Sequence, residues 1–347
     1  MKKTLAFIIP SYNVEWCLKR AIDSIVNSPC EKDVEIIIVN DGSQDQTVNI
    51  GKYYVEKYPR TVSLINKSNG GHGSAINAGT LQVSAKYFKV LDADDWIVTD
   101  NLCKFVSLLK VCHSDVVLTP FHLVDMNDQS KAVWKMYCET YEKEYSMTEV
   151  LENWKNFERC LSFHGITYRT EFYTMHRHEL PEGVFFEDQE YSAIPCCYAE
   201  SIYPIDLFIY QYQIGNAEQS VSDKNQIKRI SHIQKVAEDM LMYLINNHDL
   251  SDAGEEYIRR KAEVVVLSYY VVACLLRKNK RKGRREAVEF NHVIEKLDSS
   301  FHKRTKSKYI LYLIMNYMHI SKRTYQKIIS SKLYSILRKT HRIEKEL

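Results

Sequence analysis

Leu5-Ala6-Phe7-Ile8-Ile9-Pro10-Ser11-Tyr12-Asn13 opens the chain with an unbroken apolar run that gives way at once to a polar loop. A run apolar at every position is buried on both faces, as strands of a parallel sheet are. Val34 to Val39 repeats the pattern and ends in Asn40-Asp41-Gly42-Ser43-Gln44-Asp45. Val62 to Ile65 is a weaker third strand, ahead of Asn69-Gly70-Gly71-His72-Gly73-Ser74, and Tyr87 to Leu91 a fourth, ahead of Asp92-Ala93-Asp94-Asp95-Trp96. Between them, Trp16–Val26, Gln46–Tyr58 and Ala75–Val83 carry apolar residues at helical spacing. Strand and helix in alternation predict an α/β fold with a mostly parallel central sheet flanked by helices.

In such sheets the ligand sits beyond the carboxyl ends of the strands, where these polar loops lie. Any one of them also serves as an ordinary βα turn or helix cap. Four converging on one edge point to a site. Asp92 and Asp94 put two carboxylates at its mouth. Bare carboxylates that close repel, and a hard cation such as Mn²⁺ or Mg²⁺ relieves them while neutralising a diphosphate. The competing reading is a helix N-cap by Asp94 or Asp95. The glycines of Asn69–Gly73, Gly71 among them, let successive N–H groups turn inward on an anion, although the spacing matches neither a P-loop nor GxGxxG.

The four motifs Phe7-Ile8-Ile9-Pro10-Ser11-Tyr12-Asn13, Ile38-Val39-Asn40-Asp41-Gly42-Ser43, Asn77-Ala78-Gly79 and Leu91-Asp92-Ala93-Asp94-Asp95, in this order, resemble those of the bacterial glycosyltransferase family 2. The resemblance implies the GT-A (Rossmann-like) fold and inverting transfer from a nucleotide sugar. It implies that Tyr12 lies against the uracil, that Asp41 hydrogen-bonds its edge, and that Pro10 and Ser11 line that pocket. Asp94 would be the main metal ligand and Asp92 would address ribose or a metal-bound water. Phe186-Glu187-Asp188 is similar to the family's catalytic pair, with Asp188 or, second, Glu187 as general base. His164 is a candidate acceptor contact. Two departures stand out. Ile76 occupies the place before Asn77 where the family often has Arg, leaving Lys67 or His72 to meet the diphosphate, and QxxRW is absent. Tyr210-Gln211-Tyr212 through Ser220-Val221-Ser222 resembles enzymes that add one sugar and release the product.

Charge divides the chain. From Asp223 onward 27 Lys/Arg accompany 14 Asp/Glu, a net of +13, whereas residues 1–222 carry 20 and 30, a net of −10. The expected division is 1–100 for the nucleotide-sugar half, 101–222 for the acceptor half and 223–347 for a basic helical region. Within 101–222, Asp115–Leu123 and Ser201–Tyr212 read as strands, Met147–Phe157 as a helix and Gly183–Phe186 as an extended approach to the acidic pair. Residues 226–247 and 255–277 read as long helices. The segment 301–347, with 12 basic residues, two Glu and an interleaved Tyr309–Ile314 run, has the composition of a helix lying on an anionic membrane. Nucleic acid is disfavoured because no nucleic-acid motif accompanies the charge.

The apolar stretch after Met1 ends at Pro10, too short for a signal peptide, and the uncharged runs 264–276 and 309–321 are 13 residues each, too short to span a bilayer. Nine cysteines without a CxxC pair read as reduced core thiols. The expectation is therefore a metal-dependent, non-processive transferase, cytoplasmic and peripheral at the inner face of the membrane. It would move a sugar from a UDP-sugar to a glycan acceptor linked to polyprenyl diphosphate. The alternatives are a sugar nucleotidyltransferase, whose Gly-rich, Arg-containing loop is missing after the first strand, and a non-catalytic nucleotide-sugar binder.

Overall fold

The computed structural model describes residues 2–215 and 222–329. It separates into two compact units, Met1–Gln219 with Asn246–Lys261, and Ser220–Ile245 with Ala262–Leu347.

The first unit begins as the apolar pattern demands. Strand β1 (Leu5–Ser11) is buried throughout, β2 (Val34–Asp41) almost so, and both pair in parallel, β2 also with β3 (Val62–Lys67) and β1 with β4 (Tyr87–Val90). Helices α1 (Leu18–Val26), α2 (Thr47–Lys57) and α3 (His72–Thr80) are the crossovers. Helix α3 starts three residues earlier than its apolar spacing suggests, so the glycine loop forms its N-terminal turn. Short β5 (Trp96–Ile97) then leads to α4 (Thr99–Val111).

Two expected single strands are each broken in two. Asp115–Leu123 resolves into β6 (Val116–Leu118) and β7 (Phe121–Val124), and β8 (Ser130–Trp134) pairs with the latter. Pro120 stands at the break, where a residue without an N–H cannot continue a ladder. Helices α5 (Met147–Glu152) and α6 (Trp154–Phe157) divide the expected Met147–Phe157 helix at Asn153. After β9 (Ile166–Arg169) come α7 (Thr170–Met175) and α8 (Asp188–Ala193). Ser201–Tyr212 resolves into β10 (Ile202–Pro204) and β11 (Tyr210–Gln213). The result is a seven-stranded sheet in the order β10-β6-β9-β4-β1-β2-β3, in which β9 alone runs antiparallel to its neighbours, and a four-stranded sheet in the order β5-β11-β7-β8. Both split strands cross from the large sheet to the small one, and the second crossing carries Tyr210 and Tyr212 toward the end of β4.

The second unit is helical: α9 (Asp223–Lys228), α10 (Ile230–Asn246), the later part of α11 (Asp252–Tyr270), which continues as a π-helical turn through Val271–Leu276, then α12 (Lys280–Leu297), α13 (Ser299–Tyr317) and α14 (Lys322–Ile329). The basic run 277–285 forms the entry to α12, capped by Asn279, which accepts from the Lys282 N–H. All nine cysteines are free. No helix among the described residues is long and apolar enough to cross a membrane. Residues 330–347 of the basic segment lie outside the described residues.

Gly79 shows how tightly the crossovers sit. A Cβ there would stand 2.4 Å from Ile8 Cγ2 and 3.2 Å from Val39 Cγ2, so α3 lies directly on β1 and β2. Gly79→Ala is expected to destabilise the fold by about 1–3 kcal/mol despite the better helix propensity of Ala, through overpacking of a full core. Equilibrium denaturation that finds the variant as stable as the parent would mean that this contact yields freely.

Candidate active site

The site is assembled from strand ends in chain order. After β1, the Ser11 side chain turns back to its own strand, donating to the Ile9 carbonyl at 3.1 Å, while Tyr12 is half exposed. Asn13, in left-handed backbone (φ 52°), interlocks this loop with the one after β2. Its N–H donates to Ser43 Oγ at 3.0 Å and its side-chain oxygen accepts from the Gln44 N–H at 2.8 Å.

Asp41 at the end of β2 is buried, and its carboxylate is surrounded by donors. Lys67 Nζ lies 2.7 Å from Oδ1, the Gly70 N–H reaches both oxygens (3.0 and 3.2 Å), and the Gly71 N–H reaches Oδ2 at 2.8 Å. The glycine loop does form an inward-turned nest, as its composition implies. The anion in it is the chain's own Asp41.

Past β4 stand the carboxylates. Asp95 is fully buried and caps no helix: Tyr210 Oη donates to it at 2.6 Å and the Gln213 N–H at 2.7 Å. Burial, then the charges of Asp94 and Asp92, push its pKa well above the usual range. Asp94 is pushed up to about 6, by burial first and by Asp92 next, with the Arg20 guanidinium, stacked 3.7 Å over the Trp96 ring, a partial offset. Asp92 goes the other way. Burial opposes its charge, but His72 prevails and holds it below the usual value.

His72 joins the two halves of the site. Its Nε2 lies 2.9 Å from Asp92 Oδ1 and its Nδ1 2.6 Å from Glu187 Oε1. Burial disfavours the ring's charge, and the two carboxylates more than offset this, so its pKa is raised well above 6.5. Asp188 follows at the start of α8, pushed up to about 6 by burial and then by Glu187, with Gln189 Nε2 donating to it at 2.9 Å. The half-buried Tyr212 phenol reports the whole gathering. Its pKa is raised by burial and then by the charges of Asp95, Asp92, Asp188 and Asp94.

His164 packs against Tyr212 and Phe121, ring centroids 4.1 and 5.2 Å away, and burial pushes its pKa down to about 4, so the ring is neutral. One ligand atom each of Asp92, Asp95 and His164 lies within 4.8 Å of the others, a group able to hold a metal ion. Neutral imidazole and carboxylate oxygens suit a divalent cation, as do the neighbouring carboxylates of Asp92 and Asp94. His164 thus stands beside the Asp92 cluster. Sequence reasoning did not find Lys89, fully buried behind it, which donates to the His164 and Ile166 carbonyls at 2.6 and 2.9 Å and whose pKa burial lowers to about 7. The available signal was a lysine inside an otherwise apolar strand. Lys261, likewise buried, donates to the Leu161 carbonyl at 2.8 Å in the same stretch. Ser220 and Val221 lie outside the described residues.

The sequence pattern of the family described as glycosyl transferase family 2 matches residues 6–175. Those residues form a glycosyl transferase family 2 domain. The uncharacterized glycosyltransferase RP339 of Rickettsia prowazekii is 34% identical over 144 residues, 41% of this chain and 42% of that one. The putative glycosyltransferase EpsH of Bacillus subtilis is 25% identical over 288 residues, 82% of this chain and 80% of that one. The chain thus spans less than half of RP339 but most of EpsH. In three dimensions it is similar to S. aureus TarS 1-349 in complex with UDP-GlcNAc, at a TM-score of 0.63 and 19% identity, over 90% of this chain and 89% of that one. That likeness establishes the GT-A fold. The matched region ends before Glu187 and Asp188.

Tyr210→Phe removes the hydroxyl that donates to Asp95 and accepts from the Asp92 N–H at 3.1 Å. With a buried carboxylate left short of a donor, a loss of about 1–3 kcal/mol in unfolding free energy is expected. Unchanged stability would show that Asp95 does not rely on this bond.

Proposed function

We propose that this chain is an inverting glycosyltransferase that moves one sugar from a UDP-sugar to a hydroxyl of a glycan acceptor carried on polyprenyl diphosphate, in surface-polysaccharide synthesis. The observation that carries the reading is the His72 bridge: its ring lies 2.9 Å from Asp92 and 2.6 Å from Glu187, the neighbour of Asp188, almost a hundred residues from the Asp92–Asp95 cluster in the chain. Supporting it are the family match and the likeness in fold to TarS, a protein whose crystal structure holds UDP-GlcNAc.

Tyr12, half exposed just after β1, would offer its ring face to a nucleobase, with the buried Pro10 and Ser11 preceding it on the strand. Asp41, held by Lys67, Gly70 and Gly71, braces the same pocket. Asp92 and Asp94, with Asp95 and His164 adjoining, would hold Mn²⁺ or Mg²⁺. When bound, that ion stabilises negative charge on a departing diphosphate. Asp188 takes the proton of the attacking hydroxyl. Its pKa near 6 keeps it ionised at neutral pH, and burial leaves it more basic than a solvated carboxylate. Glu187 raises that basicity by its charge and is itself held by His72.

Asp188→Asn should abolish transfer while UDP affinity stays within a few-fold. In the parent chain kcat/KM should fall about tenfold per pH unit below about 6, since a raised carboxyl is protonated, and useless as a base, below its own pKa. Transfer by the Asn variant at parental rate, or a flat profile between pH 5 and 7, would remove Asp188 as the base.

The second unit supports attachment to the cytoplasmic face of a membrane. On α13 and its C-cap, Ile310, Leu311, Ile314, Tyr317 and Met318 are exposed at helical spacing, with exposed Lys303 and Lys306 on the same helix and Arg323 on α14. An apolar strip flanked by cations fits an anionic lipid surface, each basic residue near it contributing roughly 1 kcal/mol. The chain should float with vesicles containing anionic lipid and remain unbound with neutral ones, and Leu311→Glu with Ile314→Glu should release it. Equal, negligible flotation with both lipids would exclude this surface.

A further inference from the structure

Residues 176–187 form neither helix nor strand, and two of them, Gly183 (φ 65°) and Phe186 (φ 73°), adopt left-handed backbone. For Phe186 that conformation is strained, and strain persists only where surrounding contacts over-determine it. Helix α8, six residues long, is too short to orient the Glu187–Asp188 pair alone. What holds this segment is the glycine loop and α3, over a hundred residues earlier in the chain.

The seam is continuous. Asn77 grips Leu180 twice, accepting from its N–H at 3.0 Å and donating to its carbonyl at 2.9 Å. Ser74 Oγ donates to Glu182 Oε1 at 2.5 Å, and the Gly183 N–H donates to the Gly70 carbonyl at 2.7 Å. His72 Nδ1 closes the seam on Glu187 while Nε2 of the same rigid ring meets Asp92. Packing is equally close. A Cβ at Gly73 would lie 3.0 Å from Glu187 Cγ, Leu180 Cβ and the Pro181 carbonyl oxygen. The glycines thus serve internal fits: Gly70 and Gly71 receive Asp41, and Gly73 makes room for the Glu187 stem.

We propose that this seam registers the catalytic segment, with His72 as the positioning residue that fixes the Glu187–Asp188 pair relative to Asp92. The inference rests on the transferase reading above and deepens it: the geometry of the base toward the donor carboxylates is set by the glycine loop. Misplacement by an ångström suffices to lose about a hundredfold in rate.

The test combines amide hydrogen exchange over residues 180–188 with steady-state kinetics on the full-length chain. His72→Ala should speed exchange in that segment about tenfold while the strands β1 and β2 keep their protection. Ser74→Ala, which removes the bond to Glu182 and leaves His72 in place, should lower kcat about tenfold with donor KM unchanged, and Ser74→Thr, which keeps the hydroxyl, should restore it. A merely structural serine would lower thermal stability and leave kcat per folded molecule intact. Unchanged exchange in His72→Ala, or parental kcat in Ser74→Ala, overturns the proposal. A parent chain that turns over no UDP-sugar counts against the transferase reading alone, and the exchange rates then decide whether the seam exists.

Discussion

Carboxylates at positions 92, 94, 95, 187 and 188 share one site, and their mutual repulsion is the constraint around which its other polar groups are arranged. Each is answered differently. Asp95 receives a phenol and a backbone N–H, Asp92 and Glu187 share one imidazole, and Asp188 receives only an amide. Asp94 feels the charge of Asp92, with His72 and Arg20 as partial offsets. The pKa values spread accordingly, Asp92 lowered and Asp94, Asp95 and Asp188 raised. A set of like groups driven apart in this way leaves Asp92 charged and Asp188 easier to protonate, the kind of separation that two roles in one site require.

The parallel half of the fold was legible because its signal is local. β1 and β2 are apolar at every position, which only two-sided burial explains, and their loops announce themselves by Asn, Asp, Gly and Ser. The broken strands were not legible, because Asp115–Leu123 and Ser201–Tyr212 read equally well as single strands. Their breaks depend on a second sheet whose members are distant in sequence. Pro120 was the visible warning. The same non-locality hid Tyr210, whose hydroxyl matters because β11 pairs with β5 and β7 and so reaches the end of β4.

The glycine loop shows how composition can name a device correctly and leave its occupant open. Three glycines in five residues do form an anion-binding turn. Yet the donors of Gly70 and Gly71 face Asp41, an anion supplied by the chain from the neighbouring strand end. Only the pairing of β2 with β3 brings Asp41 opposite Lys67, and no pattern within either segment encodes that. Lys67, one of the two cations expected to meet a diphosphate, is thereby engaged inside the pocket, and His72, the other, stands between Asp92 and Glu187.

Buried lysines complete the same logic from behind the site. Lys89 and Lys261 give up hydration to reach carbonyls at 161, 164 and 166, the stretch that presents His164 beside Asp92. An apolar residue at either position would pack without desolvation loss but would leave those carbonyls without these donors. Burial lowers the pKa of Lys89 to about 7 and of Lys261 to about 8, so each gives up its proton far more readily than a solvated lysine. For Lys261, the first opposing influence on that fall is Asp188, and Lys261 in turn lowers the pKa of Asp188. The lysine that secures the His164 stretch therefore also tempers the candidate base, and the two ends of the site are coupled through charge as well as through the seam at His72.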